Sequence, residues 1–298
     1  MSLSIRPIDP VARAFFAGDV SGVDTSQALS REDVAAISAG MDQYGVLVFH
    51  DQHVDDARQL AFSRNFGALE QATGDIAQGA ERRLSMEVND ISNLDKDNNV
   101  LARDDRRRLF GLGNRLWHSD SSFKAVPAKY SLLSARVIPG AGGNTEFADM
   151  RAAYDALDDE TKAEIEDLIC EHSLMYSRGA LGFLDYTVEE KQMFKPVLQR
   201  LVRTHPVHGR KSLYLSSHAG GIQGMSVPEA RVLLRDLNEH ATQREFVYVH
   251  KWTLHDLVMW DNRQTMHRVR RYDQSQPRDM RRATVAGTMP TVAQQAAE

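Results

Sequence analysis

Apolar residues fall along this chain mostly in short runs bounded by glycine, proline, asparagine or aspartate, and a few stretches at helical spacing interrupt them. Ser30 ahead of REDVAAISAGMDQYG, with Asp33 three residues on, predicts a capped helix that Gly45 closes. VLVFH at 46–50 then reads as a short strand. A second helix follows over about 55–66, with Leu60, Phe62 and Phe66 on an inward stripe. Residues 1–27 mix turn formers with short apolar pieces and suit the edge of a sheet.

Farther on, KYSLLSARVIP at 129–139 predicts a strand stopped by Pro139, and GAGGNTEFADM a glycine turn leading into another. MRAAYDALDDETKAEIEDLI has helical spacing that offers Ala152, Leu157, Ile165 and Leu168 for burial. Residues 171–197 read only as loop and short helix. LVRTHPVHGRKSLYLSSH predicts a hairpin turning near His208-Gly209, and VPEARVLLRDLNEHA at 227–241 a helix. REFVYVHKW, DLVMWDN and RRATVAGT are strands, and 291–298 is expected to be a flexible tail.

Many short strands with a few helices outside them predict a mainly β protein with flanking helices, a sandwich or jelly roll carrying insertions. No repeat or linker divides it, so 1–298 is expected to form one domain. The pattern dissolves between Gly67 and Gly113. Lying just before Trp117 and His118, the stretch 68–113 reads either as a loop insertion covering an active site or as a solvated insertion, and DDRRR at 104–108 favours solvent for that part.

A hydrophobic share of 42% with 26% charged residues is ordinary for a globular chain that can bury a core. The net charge of −5 argues against a nucleic-acid partner. No apolar run matches a membrane span, and the start MSLSIRPIDP lacks the layout of a signal peptide, so a cytoplasmic protein without a membrane partner is expected. Cys170 has no second thiol to pair with and reads as a small buried apolar residue.

The candidate chemistry centres on Trp117-His118-Ser119-Asp120-Ser121-Ser122-Phe123. In an extended segment side chains at i and i+2 share a face, so His118 and Asp120 could grip one ion. One more histidine would complete a two-His, one-carboxylate triad, which leaves positions open on iron(II) for a cosubstrate and O2. A surface pair formed by chance is the plainer explanation of His-x-Asp. Eleven histidines leave the third ligand open. The segment 258–285 narrows the choice: a strand ending in an Asp-Asn turn is followed by His267, then by Arg278 and Arg282. On a regular final strand that spacing would put both guanidinium groups on one face, where each could take a carboxylate in a bidentate fork.

His118-x-Asp120, Thr145 after Gly142-Gly143-Asn144, Trp260, His267, Arg278 and Arg282 together resemble the taurine dioxygenase superfamily of iron(II)- and 2-oxoglutarate-dependent oxygenases. Within it, LVFHDQ, AFSRNFG, LWHSDSSF, GGNTEFADMRAAYDAL, HATQREFVY, DLVMWDNR, HRVRRYD and RRAT are most similar to the 2,4-dichlorophenoxyacetate dioxygenases. The resemblance implies a double-stranded β-helix (jelly roll, cupin-like) core, with Fe(II), 2-oxoglutarate and O2 as cofactor and cosubstrates. It implies His118, Asp120 and His267 as metal ligands, Thr145 and Arg278 with Trp260 for 2-oxoglutarate, and Arg282 for the acid group of a small anionic substrate. The implied reaction hydroxylates the methylene of an aryloxyacetate, giving a phenol, glyoxylate, succinate and CO2. Relatives oxidise taurine, alkyl sulfates or other aryl acids, and homo-oligomers occur among them.

Three further positions are candidates for contacting substrate. Asn114 is equally a structural amide, His218 would help Arg282 hold a carboxylate, and Ser121 would offer its backbone N–H. Trp117 and Phe123 read as packing residues. His50, His53, His172, His205, His208, His240, His250 and His255 read as structural or solvent-facing, His205 being the least safe. A cupin-like binding protein without turnover and a zinc hydrolase are the rival classes. The complete ligand set with two arginines speaks against the first, and a zinc hydrolase would not need two widely spaced arginines.

Overall fold

The computed structural model describes residues 2–72 and 82–293. Parts of the expected cover (73–81) and tail (294–298) lie outside them. Helix Arg31–Tyr44 starts where Ser30 Oγ accepts the Asp33 N–H at 3.0 Å, and it ends at Gly45, whose φ of 69° lets its N–H reach the Met41 carbonyl.

The strand after it, Val46–Phe49, is buried on both faces because its side chains alternate between two cores. Val46 and Val48 join Phe147, Val258 and Trp260, while Leu47 and Phe49 join Met41, Phe62 and Leu132. Across the seven-stranded sheet the order is Ser4–Pro7, Gly18–Ser21, Val46–Phe49, Leu257–Asp261, Ala128–Val137, Asp279–Ala286 and Asn89–Asp90. Only Gly18–Ser21 and Val46–Phe49 run parallel.

One face of this sheet is covered by the helices Arg31–Tyr44 and Asp56–Arg64 through Ile37, Met41 and Phe62. The other meets an antiparallel sheet of Val247–His250, Thr145–Asp149 and Thr265–Val269, whose Phe147 and Tyr248 pack with Leu133 and Trp260. A third cluster forms under helix Val227–Ala241, where Ala230, Leu234 and Leu237 pack with Ile165, Leu201 and Leu213. The result is a sheet-rich chain with flanking helices.

The single helix expected over MRAAYDALDDETKAEIEDLI is two, Met150–Asp155 and Asp159–Ile165, because the Asp158 carboxylate accepts the Thr161 N–H and starts a new helix. The stretch left as loop and short helix also carries strands Ile169–His172 and Val197–Arg200, which pair with each other. The DDRRR run is only partly left to solvent: Asp104 is exposed, while 105–108 are half-buried. Arg106–Gly111 is a short helix, Arg106 pairs with Glu190 at 2.7 Å, and Arg108 donates to Gln274 at 2.8 Å. Residues 291–293 are likewise docked: the buried Thr291 hydroxyl donates to Gln199 at 2.6 Å and accepts the Arg200 N–H at 3.0 Å. Cys170 is buried, as expected, and burial pushes its thiol up to about 12. Among the described residues no helix is long and apolar enough to cross a membrane.

Candidate metal centre and its two cavities

His118 lies on no regular strand. It forms an isolated antiparallel bridge with His267, in strand Thr265–Val269, and each N–H donates to the other's carbonyl, at 3.0 and 2.8 Å. Asp120 enters a turn in which Ser121 has a left-handed φ of 56°. The pair therefore converges through a turn, and the strand alternation expected from the sequence does not apply.

Donor atoms of His118, Asp120 and His267 lie within 4.8 Å of one another. The imidazole Nε2 atoms stand 3.9 and 3.8 Å from the two Asp120 oxygens, a separation that two bonds of about 2.1 Å to one ion can span. His118 Nδ1 lies 2.8 Å from the Leu116 carbonyl, which can only accept, so the proton sits on Nδ1 and Nε2 presents a lone pair. Among the described residues the buried His267 Nδ1 has no hydrogen-bond partner, a cost that a bond at Nε2 would help to offset.

Burial lowers the pKa of both imidazoles and keeps them neutral. Burial alone would raise the Asp120 carboxyl, but the Arg282 guanidinium beside it outweighs that and lowers it. Two neutral nitrogens and one carboxylate fit a divalent cation with coordination positions to spare. In a second close group, Asp42, His205 and Asp261, the Asp261 carboxylate already has partners: Arg263 pairs with it at 2.7 Å, and Gln264 donates to it at 3.0 Å. His205 belongs to that structural network.

Asp120 is held from several sides. The Ser131 hydroxyl donates to it at 2.7 Å, Arg282 Nη1 donates to its other oxygen, and its N–H donates to Asn262 Oδ1 at 3.1 Å. Asn262 also accepts the Trp260 indole N–H at 3.0 Å and donates to Ser131 at 3.0 Å. Asn262 and Ser131 were not singled out from the sequence, where Asn262 was visible only as a turn residue.

Two adjoining cavities meet at His118. The smaller is lined by Thr145, Trp260, His267, Arg278, Arg282 and Asn114. Arg278 is buried, and burial lowers the pKa of its guanidinium. Its Nη1 donates to the Ile91 carbonyl at 3.2 Å, and among the described residues no carboxylate pairs with it. The Thr145 hydroxyl accepts the Trp252 indole N–H at 3.0 Å. The larger cavity, of about 280 Å³, is walled on one side by residues of 82–94 and 101–115, Arg107 and Arg108 among them. Phe123, Arg178 and His218 also line it. A bulge between Asp279 and Met280 breaks the regular final strand assumed from the sequence, yet Arg278 and Arg282 both line both cavities.

The lesser candidates divide. Asn114 lines both cavities and accepts from Arg178 at 3.3 Å. His218 lines the larger one, with its ring 6.1 Å from that of His118. The Ser121 hydroxyl turns to Glu70 at 2.7 Å. Trp117 packs in the core as expected, whereas Phe123 is also cavity wall. Arg178 was missed, since nothing marks SRGALG as part of a site.

Comparison with known proteins agrees with this arrangement. The 2,4-dichlorophenoxyacetate dioxygenase of Cupriavidus pinatubonensis, described as alpha-ketoglutarate-dependent, is 47% identical over 95% of this chain and 98% of its own length. A (S)-phenoxypropionate/alpha-ketoglutarate dioxygenase of Sphingobium herbicidovorans is 37% identical over 96% of both chains. The crystal structure of AAD-2 in complex with Mn(II) and N-oxalylglycine superposes with a TM-score of 0.90 at 68% identity, covering 99% of this chain and 100% of that one. The family model described as taurine catabolism dioxygenase TauD, TfdA family matches residues 4–284, from the first strand well into the last, and the chain belongs to that family.

Proposed function

We propose that this protein is an iron(II)- and 2-oxoglutarate-dependent dioxygenase that hydroxylates the methylene of an aryloxyacetate such as 2,4-dichlorophenoxyacetate. The observation that carries the reading is the junction of the His118, Asp120 and His267 donors with two cavities that share Arg278 and Arg282. His118, Asp120 and His267 would hold the metal. Iron(II) with 2-oxoglutarate and O2 supplies oxidising power that turns a C–H bond into C–OH, with succinate and CO2 as co-products.

The chain's own residues bind and orient. Arg278, uncompensated by any described carboxylate, and the Thr145 hydroxyl offer a cation and a hydrogen bond to the distal carboxylate of 2-oxoglutarate, against the wall of Trp260. Arg282 holds Asp120 ionised and in place while its buried Nε, without a partner among the described residues, remains a donor for the substrate's acid group. Anchoring the acid there fixes the neighbouring methylene against the metal position, and a displacement of about 1 Å would cost on the order of a hundredfold in rate. The hydroxylated carbon is a hemiacetal, which releases a phenol and glyoxylate.

The same reading takes 1–298 as one domain with a double-stranded β-helix core, supported by the two facing sheets around Phe147 and Trp260. Segment 68–113 would be the cover that receives the aryl ring, supported by the lining contributed from 82–94 and 101–115. A product screen tests the function: phenol and glyoxylate formed in step with succinate from an aryloxyacetate are expected. Release of sulfite from taurine, or of an aldehyde from an alkyl sulfate, without phenol would replace the substrate.

A further inference from the structure

At the two cavities Arg178 and Arg278 are buried and Arg282 is half-buried, and the proposed function uses Arg278 and Arg282. The third, Arg178 on helix Leu174–Gly179, lines only the larger cavity and is 5% exposed. Among the described residues no carboxylate pairs with it. Its buried Nε has no partner among them either, Nη1 reaches the Ser177 hydroxyl at 3.3 Å and Nη2 the Asn114 side-chain oxygen at 3.3 Å. The guanidinium sits over the Phe110 ring, 4.8 Å from its centroid. Burial lowers its pKa to about 10, which leaves it charged near neutrality.

The surroundings are shaped to this side chain. A Cβ at Gly113 would fall 2.2 Å from Arg178 Cζ, so glycine is what lets the guanidinium lie there. A buried cation with neither counter-ion nor full hydrogen bonding is costly, and such groups are normally paired. Facing a cavity, it can take its anion from the ligand.

His218 next to it cannot play that part. The Ser177 hydroxyl has one proton and directs it to the Leu174 carbonyl at 2.9 Å, so it accepts from His218 Nδ1 at 2.8 Å. Burial, followed by the charge of Arg178, keeps His218 neutral. Its Nε2 then offers a lone pair, which repels a carboxylate.

We propose that Arg178, oriented by Asn114 and Phe110, contacts the carboxylate of the acid substrate together with Arg282 and so sets the preference for anionic over neutral ligands. This inference rests on the proposed function for the identity of the acid. Equilibrium dialysis of the anaerobic iron(II)- and 2-oxoglutarate-loaded protein against 2,4-dichlorophenoxyacetate and against its neutral amide tests it. Arg178→Gln should weaken binding of the acid roughly 10- to 100-fold, the range for loss of a charged hydrogen bond. It should leave the amide and the dissociation constant for 2-oxoglutarate within about twofold, with partial recovery in Arg178→Lys. Gly113→Ala, which displaces the guanidinium without removing its charge, should lower acid binding in the same sense and serves if Arg178→Gln fails to fold. Unchanged acid binding in the folded variants, equal losses for acid and amide, or a matching loss for 2-oxoglutarate would overturn the assignment. If wild-type protein binds no aryloxyacetate, the substrate reading falls instead, and the same variants are read on whichever anionic substrate, taurine or an alkyl sulfate, the wild type turns over.

Discussion

His118 and His267, from distant parts of the chain, exchange both backbone hydrogen bonds, and this sets their rings 4.2 Å apart between centroids. The bridge is made by main-chain atoms alone. Replacing either imidazole should therefore leave the fold in place while removing a metal ligand. His118→Ala and His267→Ala are expected to melt within a few degrees of wild type and to form no succinate. Asp120→Ala should lose activity and stability together, since it leaves the half-buried Arg282 guanidinium without its carboxylate. Differential scanning calorimetry alongside a succinate assay checks all three.

Arg278 and Arg282 should separate kinetically, although they lie four residues apart and line the same two cavities. Arg278→Leu is expected to raise KM for 2-oxoglutarate roughly 10- to 100-fold, with a smaller change for the aryloxyacetate. Arg282→Leu should damage the aryloxyacetate more. It should also weaken metal binding, because Arg282 supports Asp120 directly. Equal effects of the two changes on both ligands would undo the division.

Asn262 ties the Asp120 backbone, Trp260 and Ser131 into one buried network. Asn262→Ala leaves the Asp120 N–H and the Trp260 indole N–H without an acceptor and is expected to cost about 1–3 kcal/mol of stability. Metal affinity should fall roughly tenfold or more, as is usual when a group supporting a ligand is lost. Urea denaturation and metal titration of this variant provide the check.

Asp279 links the final strand to Arg83 at 2.8 Å and to Arg281 at 3.1 Å. Burial pushes its carboxyl up, yet the two guanidinium groups win and hold it at about 2. An unfolded aspartate titrates near about 3.9, so the folded state binds the proton more weakly. The stabilisation is then complete above about pH 4 and disappears as the pH falls through about 2, and is worth on the order of 1–2 kcal/mol. Asp279→Asn should remove that slope from the wild-type curve. Identical pH dependence of the two proteins between about pH 4 and 2 would refute the coupling.

Local signals in the sequence were read where the chemistry is local. Ser30, Gly45 and the apolar run VLVFH mark a cap, a stop and a short strand, and the structure has all three. Asp158 hid a helix break because a run of good helix formers surrounds a residue that also caps. The candidate ligands His118, Asp120 and His267 were legible through a motif pattern, but the turn that brings Asp120 beside His118 depends on Ser121 and on the bridge to His267, neither of which shows in a short window. Arg178 and Asn262 were illegible for the same reason: each matters through partners far along the chain, Asn114 for one and Asp120 with Ser131 for the other.

The shared ion is tested most directly by anaerobic addition of iron(II) and then 2-oxoglutarate while the visible metal-to-ligand charge-transfer absorption is recorded. The expected result is an absorption that saturates at one iron and one 2-oxoglutarate per chain and is missing from His267→Ala. A wild-type protein with no such absorption, or a His267→Ala protein with the full intensity, would contradict it.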